Sequence, residues 1–282
     1  MNDNAPVTVI RSGRAFTHID PAELWHYRDL IRLFVRRGFV VRYKQTVLGP
    51  AWLILQPLAT SLIHLFLFGT VAGIGTDGVP GILFYLGGNA LWSVFSGSFS
   101  ANATTFTANA SLFGKVYFPR LTVPIANMIS TFLRFLLEMG FLAVLWVWFA
   151  LHGQVSGSWL FFPVLPLLLL HLGLLGMGCG ILFSSLTTRY RDLTVLVSFG
   201  LQLLMYATPV VYPLSTLSDS RLYTLMLLNP VTAPMELFRR LLFGQGSVVW
   251  WSLVLSLAVT AIVLFFSIHV FSRVEKTFID TV

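Results

Sequence analysis

Arg134 and Glu138 stand four residues apart in a long apolar stretch, and no other charge lies between Arg120 and Arg189. At helical spacing they share one face. A charge inside a membrane span is costly and is functional by default. Two readings are open: an ion pair that fixes helix packing, or charged groups on a substrate route. Little else has the pattern of a reacting centre. His26, His64, His152, His171 and His269 are isolated from one another. No Walker A sequence appears, so ATP-driven work would need a nucleotide bound on another chain. The lone Cys179 cannot form an intrachain disulfide.

Three segments offer surfaces rather than reactive groups. In Pro21–Thr46, Leu24, Tyr27, Ile31, Phe34 and Val35 repeat on one helical face, with Arg28, Arg32 and Arg36 as a stripe beside it. That pattern predicts an amphipathic helix in the headgroup region, serving as a membrane anchor or as a docking surface. The segment Asn109–Arg120 is apolar for a loop, with Leu112, Phe113, Val116, Tyr117 and Phe118 between charged Lys115 and Arg120. It either rests on lipid or inserts into a groove of another protein. The stretch Pro213–Ser247 is too interrupted for a full span. It suits either short half-helices that re-enter the membrane or an ordinary interfacial helix.

These residues are carried by apolar elements. Of 282 residues, 56% are hydrophobic and only 10% charged, against roughly 25% charged in soluble domains. The chain is therefore a polytopic membrane protein, not a secreted or cytosolic enzyme. A span needs about 20 apolar residues. Glycine, proline and polar clusters divide the apolar runs into six predicted helices. They lie near Trp52–Val71, Ile82–Phe106, Leu121–Leu151, Trp159–Leu186, Thr194–Tyr212 and Val249–Phe271. The expected fold is all-α: a polar tail over 1–20, an interfacial helix over 21–46 and one six-helix membrane domain over 52–271. Gly69–Gly73 and Gly176–Gly180 match the close-packing motif GxxxG. In this topology fourteen Lys and Arg fall on one side and three, Arg221, Arg239 and Arg240, on the other. That asymmetry predicts cytoplasmic termini and dismisses nucleic acid as the partner of the net charge of +7.

Four stretches occur in order: RYKQTVLGPAWLILQP (Arg42–Pro57), KVYFPRLTVPIAN (Lys115–Asn127), TPVVYP (Thr208–Pro213) and LNPVTAPMELFRR (Leu228–Arg240). Together they resemble the membrane subunit of ABC-2-type exporters of cell-surface polysaccharide, the group that moves O-antigen, capsule and teichoic acid. The resemblance covers the chain from about Leu24 onward. It implies a homodimer in the bacterial inner membrane around one channel, with two copies of a separate ATPase below. That ATPase would hold ATP and magnesium, leaving no cofactor on this chain. Leu112, Phe113, Lys115, Val116, Tyr117, Phe118 and Arg120 would form the main coupling segment. Arg189, Arg191 and Asp192 would form a second contact. The first and fifth spans would line the channel, giving Phe66, Phe68, Tyr206 and Tyr212 as candidate glycan contacts. Short helices between spans five and six would re-enter from outside. Arg28, Arg32 and Arg36 would meet the pyrophosphate of a polyprenyl-linked or other lipid-linked glycan, since arginine suits phosphate.

Two other functions compete. A membrane enzyme that processes lipid-linked glycan would need paired acids at a membrane face, and Asp77, Asp219 and Glu236 show no such spacing. An ion-coupled carrier would need carboxylates within the spans, where only Glu138 stands.

Overall fold

The computed structural model describes residues 21–44, 48–113, 115–116, 118–190, 192–218 and 220–281. Among them the regular structure is helical, with no strand. The N-terminal region forms α1 (Pro21–His26) and α2 (Arg28–Tyr43). α3 (Trp52–His64) continues into a π-helical turn, Leu65–Val71. Then come α4 (Gly81–Ala103) and the one-turn helices α5 (Thr105–Ala108) and α6 (Ala110–Phe113). The long helices α7 (Thr122–Leu151) and α8 (Phe161–Arg189) follow. α9 (Leu193–Tyr206), the short α10 (Arg221–Leu228) and α11 (Thr232–Phe243), and α12 (Trp250–Thr281) complete the chain.

Among the described residues four helical stretches are long and apolar enough to cross a membrane: Trp52–Val71, Thr122–Leu151, Phe161–Thr187 and Trp250–Arg273. The two remaining expected spans are helices that fall short for different reasons. α4 has the length, at 23 residues, but Gly87, Gly88, Asn89, Ser98 and Asn102 dilute its hydropathy. It is the central helix, packed mainly on α8 and α7 and also on α3, α9 and α11. A helix sheathed by protein needs close contact more than hydropathy. α9 has 14 residues, about 21 Å at 1.5 Å per residue. The sequence places the end of this span at Tyr212; the helix stops at Tyr206. Pro209 lacks an N–H and disfavours helical geometry in the residue before it.

The core has two parts. The larger surrounds α4, where Leu83, Phe84, Leu86, Leu91 and Val94 are buried against α7, α8 and α11. Gly176 and Gly180 permit the α4–α8 crossing. A Cβ at either position would strike the backbone carbonyl of Phe95 or Phe99. In the other GxxxG pair Gly69 lies against the Tyr85 side chain of α4 and Gly73 faces open space, so only Gly176–Gly180 brings helix backbones together at both glycines. His171, isolated in sequence, places Nε2 3.0 Å from Thr260 Oγ1 and 3.1 Å from Ser256 Oγ, joining α8 to α12. The smaller core lies at the α2 end. There Phe106, Phe113, Phe118, Val123, Ile181 and Phe271 are buried together, with Tyr27, Leu30 and Phe34 of α1–α2 packed on them.

Candidate functional site

Three polar stripes converge between α3, α4 and α7. α3 contributes Gln56 and Thr60, four residues apart. α4 contributes Asn89, Ser93 and Ser96, at the first, fifth and eighth positions of two helical turns. α7 contributes Arg134 and Glu138. Each set shares one face by helical periodicity. Together with Trp52, Trp92 and Met205 they line a cavity of about 450 Å³. This is within the range of about 300–1,000 Å³ of small-molecule sites. The Ser93 hydroxyl donates to Glu138 Oε2 at 3.2 Å. Arg134 Nη2 donates to Thr131 Oγ1 at 3.2 Å. Asn89 Nδ2 donates to Ser61 Oγ at 2.9 Å and lies 3.3 Å from His64 Nδ1, which fixes the amide between α3 and α4.

Arg134 also borders a second space of about 100 Å³, between α2 (Phe34, Gly38, Phe39) and Ala101, Asn127 and Ser130. The two spaces meet at this arginine. Arg134 thus stands between the space beneath the N-terminal helix and the cavity in the helix bundle.

The sequence-predicted residues divide among several places. Arg134 and Glu138 share the cavity wall. Phe68 and Tyr206 have ring centroids 6.3 Å apart, and the Tyr212 hydroxyl donates to the Tyr206 carbonyl at 3.0 Å. Phe66 is 60% exposed and has no ring partner among the described residues. These four aromatics lie outside the cavity lining. Gln56, Thr60, Asn89, Ser93 and Ser96 were not singled out from the sequence. The available signal was polar residues repeating at helical spacing within otherwise apolar spans.

The segment Asn109–Arg120, expected to couple to an ATPase, is not one exposed apolar anchor. Phe113 and Phe118, each 5% exposed, are core residues. Their rings are 5.7 Å apart, and Phe118 meets Phe34 of α2 at 5.7 Å. Arg120 is buried, with its guanidinium 5.5 Å from the Phe113 ring centroid. What faces outward is Lys115 and Val116, the latter 55% exposed, with Leu112 half-buried. Tyr117, Arg191 and the side chain of Arg189 lie outside the described residues, while Asp192 is exposed at the start of α9. On α2, Arg28, Arg32 and Arg36 are exposed. Arg28 lies 5.7 Å from the Trp25 ring centroid, and Arg32 pairs with Asp29 at 3.0 Å.

Arg239, counted by sequence among the few basic residues of the outer side, is buried. Its Nη1 donates to Glu236 Oε1 at 3.0 Å and its Nη2 to the Val210 carbonyl at 2.9 Å. Its guanidinium carbon is 3.9 Å from the Phe84 ring centroid. Glu236 accepts a further bond from the Ser247 amide at 3.0 Å. The pair pins α11 to α4 and to the turn that follows α9. Nearby, the Ser215 hydroxyl donates to Asp77, tying the α3–α4 loop to the segment before α10.

The long apolar helices accord with what the chain is similar to. The chain is 29% identical to the O-antigen export system permease protein RfbA of Klebsiella pneumoniae over 219 residues, 78% of this chain and 82% of the relative. It is 28% identical over 266 residues to the protein of the same name from Myxococcus xanthus, 92% of this chain and 98% of that one. Residues 29–243 match the ABC-2 type transporter family, which is most of the molecule and contains the cavity, the loop Asn109–Arg120 and α11. The chain belongs to the ABC-2 type transporter family.

Proposed function

We propose that this protein is the membrane subunit of an ATP-driven exporter that moves a lipid-linked, O-antigen-like polysaccharide across the bacterial inner membrane. The observation that carries this reading is the alignment with an O-antigen export permease over 92% of the chain and 98% of the relative. In this reading six helices cross the membrane: the four long apolar stretches, the sheathed α4, and α9 with the turn after it. Both termini face the cytoplasm. α10 and α11 re-enter from the outer side. Two copies form one channel and two copies of a separate ATPase bind below, carrying ATP and magnesium.

The ATPase contact falls to the loop Asn109–Arg120, with Asp192 and its neighbours as a second point. Leu112, Lys115 and Val116 face the partner, while Phe113 and Phe118 transmit its motion inward through the smaller core to α2, α7 and α12. Phe68, Tyr206 and Tyr212 lie along the glycan route, and Arg28, Arg32 and Arg36 receive the lipid pyrophosphate.

Deletion of the gene in its own host tests the reading. Surface polysaccharide should disappear while lipid-linked glycan accumulates inside. A partner ATPase disabled at its nucleotide site should give the same phenotype. A glycan-processing membrane enzyme or an ion-coupled carrier would keep working without that ATPase. Unchanged surface glycan in the deletion strain overturns the proposal.

A further inference from the structure

The cavity between α3, α4 and α7 is lined for a ligand, and its chemistry narrows what that ligand is. An acyl chain would set the Arg134 and Glu138 charges and the Gln56 amide against hydrocarbon, and charged or polar groups so buried are costly. An isolated phosphate would find Arg134 but would also face the Glu138 carboxylate on the same helix face. A neutral sugar ring suits the whole set. Its hydroxyls both donate and accept, so they pair with Glu138 as acceptor, Arg134 as donor, Gln56 and Thr60 as either, and Ser93 and Ser96 as acceptors, whose own protons reach the Ala90 and Trp92 carbonyls. Its C–H faces are apolar and flat enough to lie on the rings of Trp52 and Trp92. The space of about 450 Å³ admits one or two such rings. It meets, at Arg134, the smaller space beneath α2, the direction from which a membrane-anchored headgroup would arrive.

We propose that this cavity is a sugar-recognition subsite, reading the hydroxyls of the sugar nearest the lipid end of the glycan. Gln56 and Ser93 act as selecting hydrogen-bonding groups, and Trp52 and Trp92 as stacking faces. The proposal rests on the reading of the chain as an exporter of lipid-linked glycan. It goes further by placing recognition on α3, α4 and α7 rather than on the aromatic contacts around Tyr206.

The test uses the full chain in lipid nanodiscs and three probes: farnesyl pyrophosphate, and the same lipid carrying one N-acetylglucosamine or one galactose. Equilibrium binding to the wild type should favour at least one glycosylated probe over the bare lipid by about tenfold, the effect of two added hydrogen bonds. The double variant Gln56→Ala, Ser93→Ala should bring that ratio close to one while still binding the bare lipid. If the double variant does not fold, Gln56→Ala alone, at an exposed position of α3, should lower the ratio by about threefold, one such bond. A wild type that binds all three probes equally overturns the sugar subsite and leaves the exporter reading standing. A variant that keeps the full preference also overturns it, because the sugar is then read elsewhere. A wild type that binds none of the probes overturns both.

Discussion

Two arginine–glutamate sets stand on apolar helices of this molecule, and their surroundings differ. Glu236 and Arg239 on α11 are each 3% exposed. Their bonds run to each other, to the Val210 carbonyl and to the Ser247 amide. Arg134 and Glu138 on α7 are half-buried and border open space. The first set is enclosed, so its charges are compensated by fixed protein groups or not at all. The second has room for water, since a polar space of about 450 Å³ far exceeds what one water needs. The same residue types thus form a pin in one place and part of a cavity wall in the other. Access to a cavity, more than the presence of charge in an apolar helix, separates the two roles.

The largest expected effect follows from enclosure. Removing one member of a buried pair strands the other, at about 3–5 kcal/mol. Arg239→Met should therefore sharply lower the thermal stability of the purified protein, followed by the fraction that stays monodisperse after heating. The double change Arg239→Met, Glu236→Met should recover only part of the loss. It removes the stranded charge but leaves the Val210 carbonyl and the Ser247 amide without these side-chain partners. An Arg239→Met protein as stable as wild type would show that the charges are hydrated after all.

The same pin can be disturbed from the opposite side. A Cβ at Gly88 would lie 2.8 Å from the Val210 carbonyl oxygen and 3.5 Å from Arg239 Nη2. Overpacking of this kind costs typically about 1–3 kcal/mol. Gly88→Ala should lower the melting midpoint by less than Arg239→Met does. Its effect should shrink in the Arg239→Met background, because both changes act on one contact. Additive losses would place the strain at Gly88 outside the pin.

Glu138→Gln should fall lower still on the stability scale and high on the functional one. The amide keeps an oxygen for the Ser93 hydroxyl, and cavity water can solvate what changes. We expect a stability change of about 1 kcal/mol or less, with surface glycan export reduced at unchanged protein level. A loss of stability comparable to that of Arg239→Met would make this set a pin as well and remove the distinction.

How far these roles were legible depends on what each residue meets in the fold. Arg134 and Glu138 were visible because a charge in an apolar run has few innocent explanations. Their neighbours Gln56, Thr60, Asn89, Ser93 and Ser96 were not, because one neutral polar residue per turn is ordinary in a span. Only the convergence of three helices turns those stripes into one wall. The burial of Arg239 was not legible, because a basic residue in a helical stretch does not show by itself what encloses it. The groups that bury it include the Val210 carbonyl and the Phe84 ring, 29 and 155 positions away, and a carbonyl oxygen leaves no mark in a sequence. The apolar character of the loop Asn109–Arg120 was visible as a pattern, but not that Phe113 and Phe118 turn inward into the smaller core. The direction of each ring was decided by α2, whose Phe34 covers Phe118. Among the glycine motifs, Gly176–Gly180 faces a helix backbone and Gly73 faces open space, a difference set by the neighbour and not by the spacing.

The smallest effect calibrates the series. Arg32 and Asp29 form the same kind of pair at 3.0 Å, but on the outer face of α2, with side chains 76% and 75% exposed. In water the attraction is weak, screened by salt and offset by the ordering of two mobile side chains, so such pairs contribute roughly 0.5 kcal/mol or less. Arg32→Gln should shift the melting midpoint by about 1–2 °C at most, and less at high salt. If Arg32 also meets the pyrophosphate of the lipid carrier, the same variant should weaken farnesyl pyrophosphate binding. That loss should diminish as ionic strength rises. Stability and binding then respond oppositely along the series: the enclosed pair governs folding alone, the cavity pair governs transport with little effect on folding, and the exposed pair governs only the capture of charge. A large stability loss from Arg32→Gln would mean that α2 is held by this arginine rather than by Tyr27, Leu30 and Phe34, and would remove the solvent-exposed end of the series.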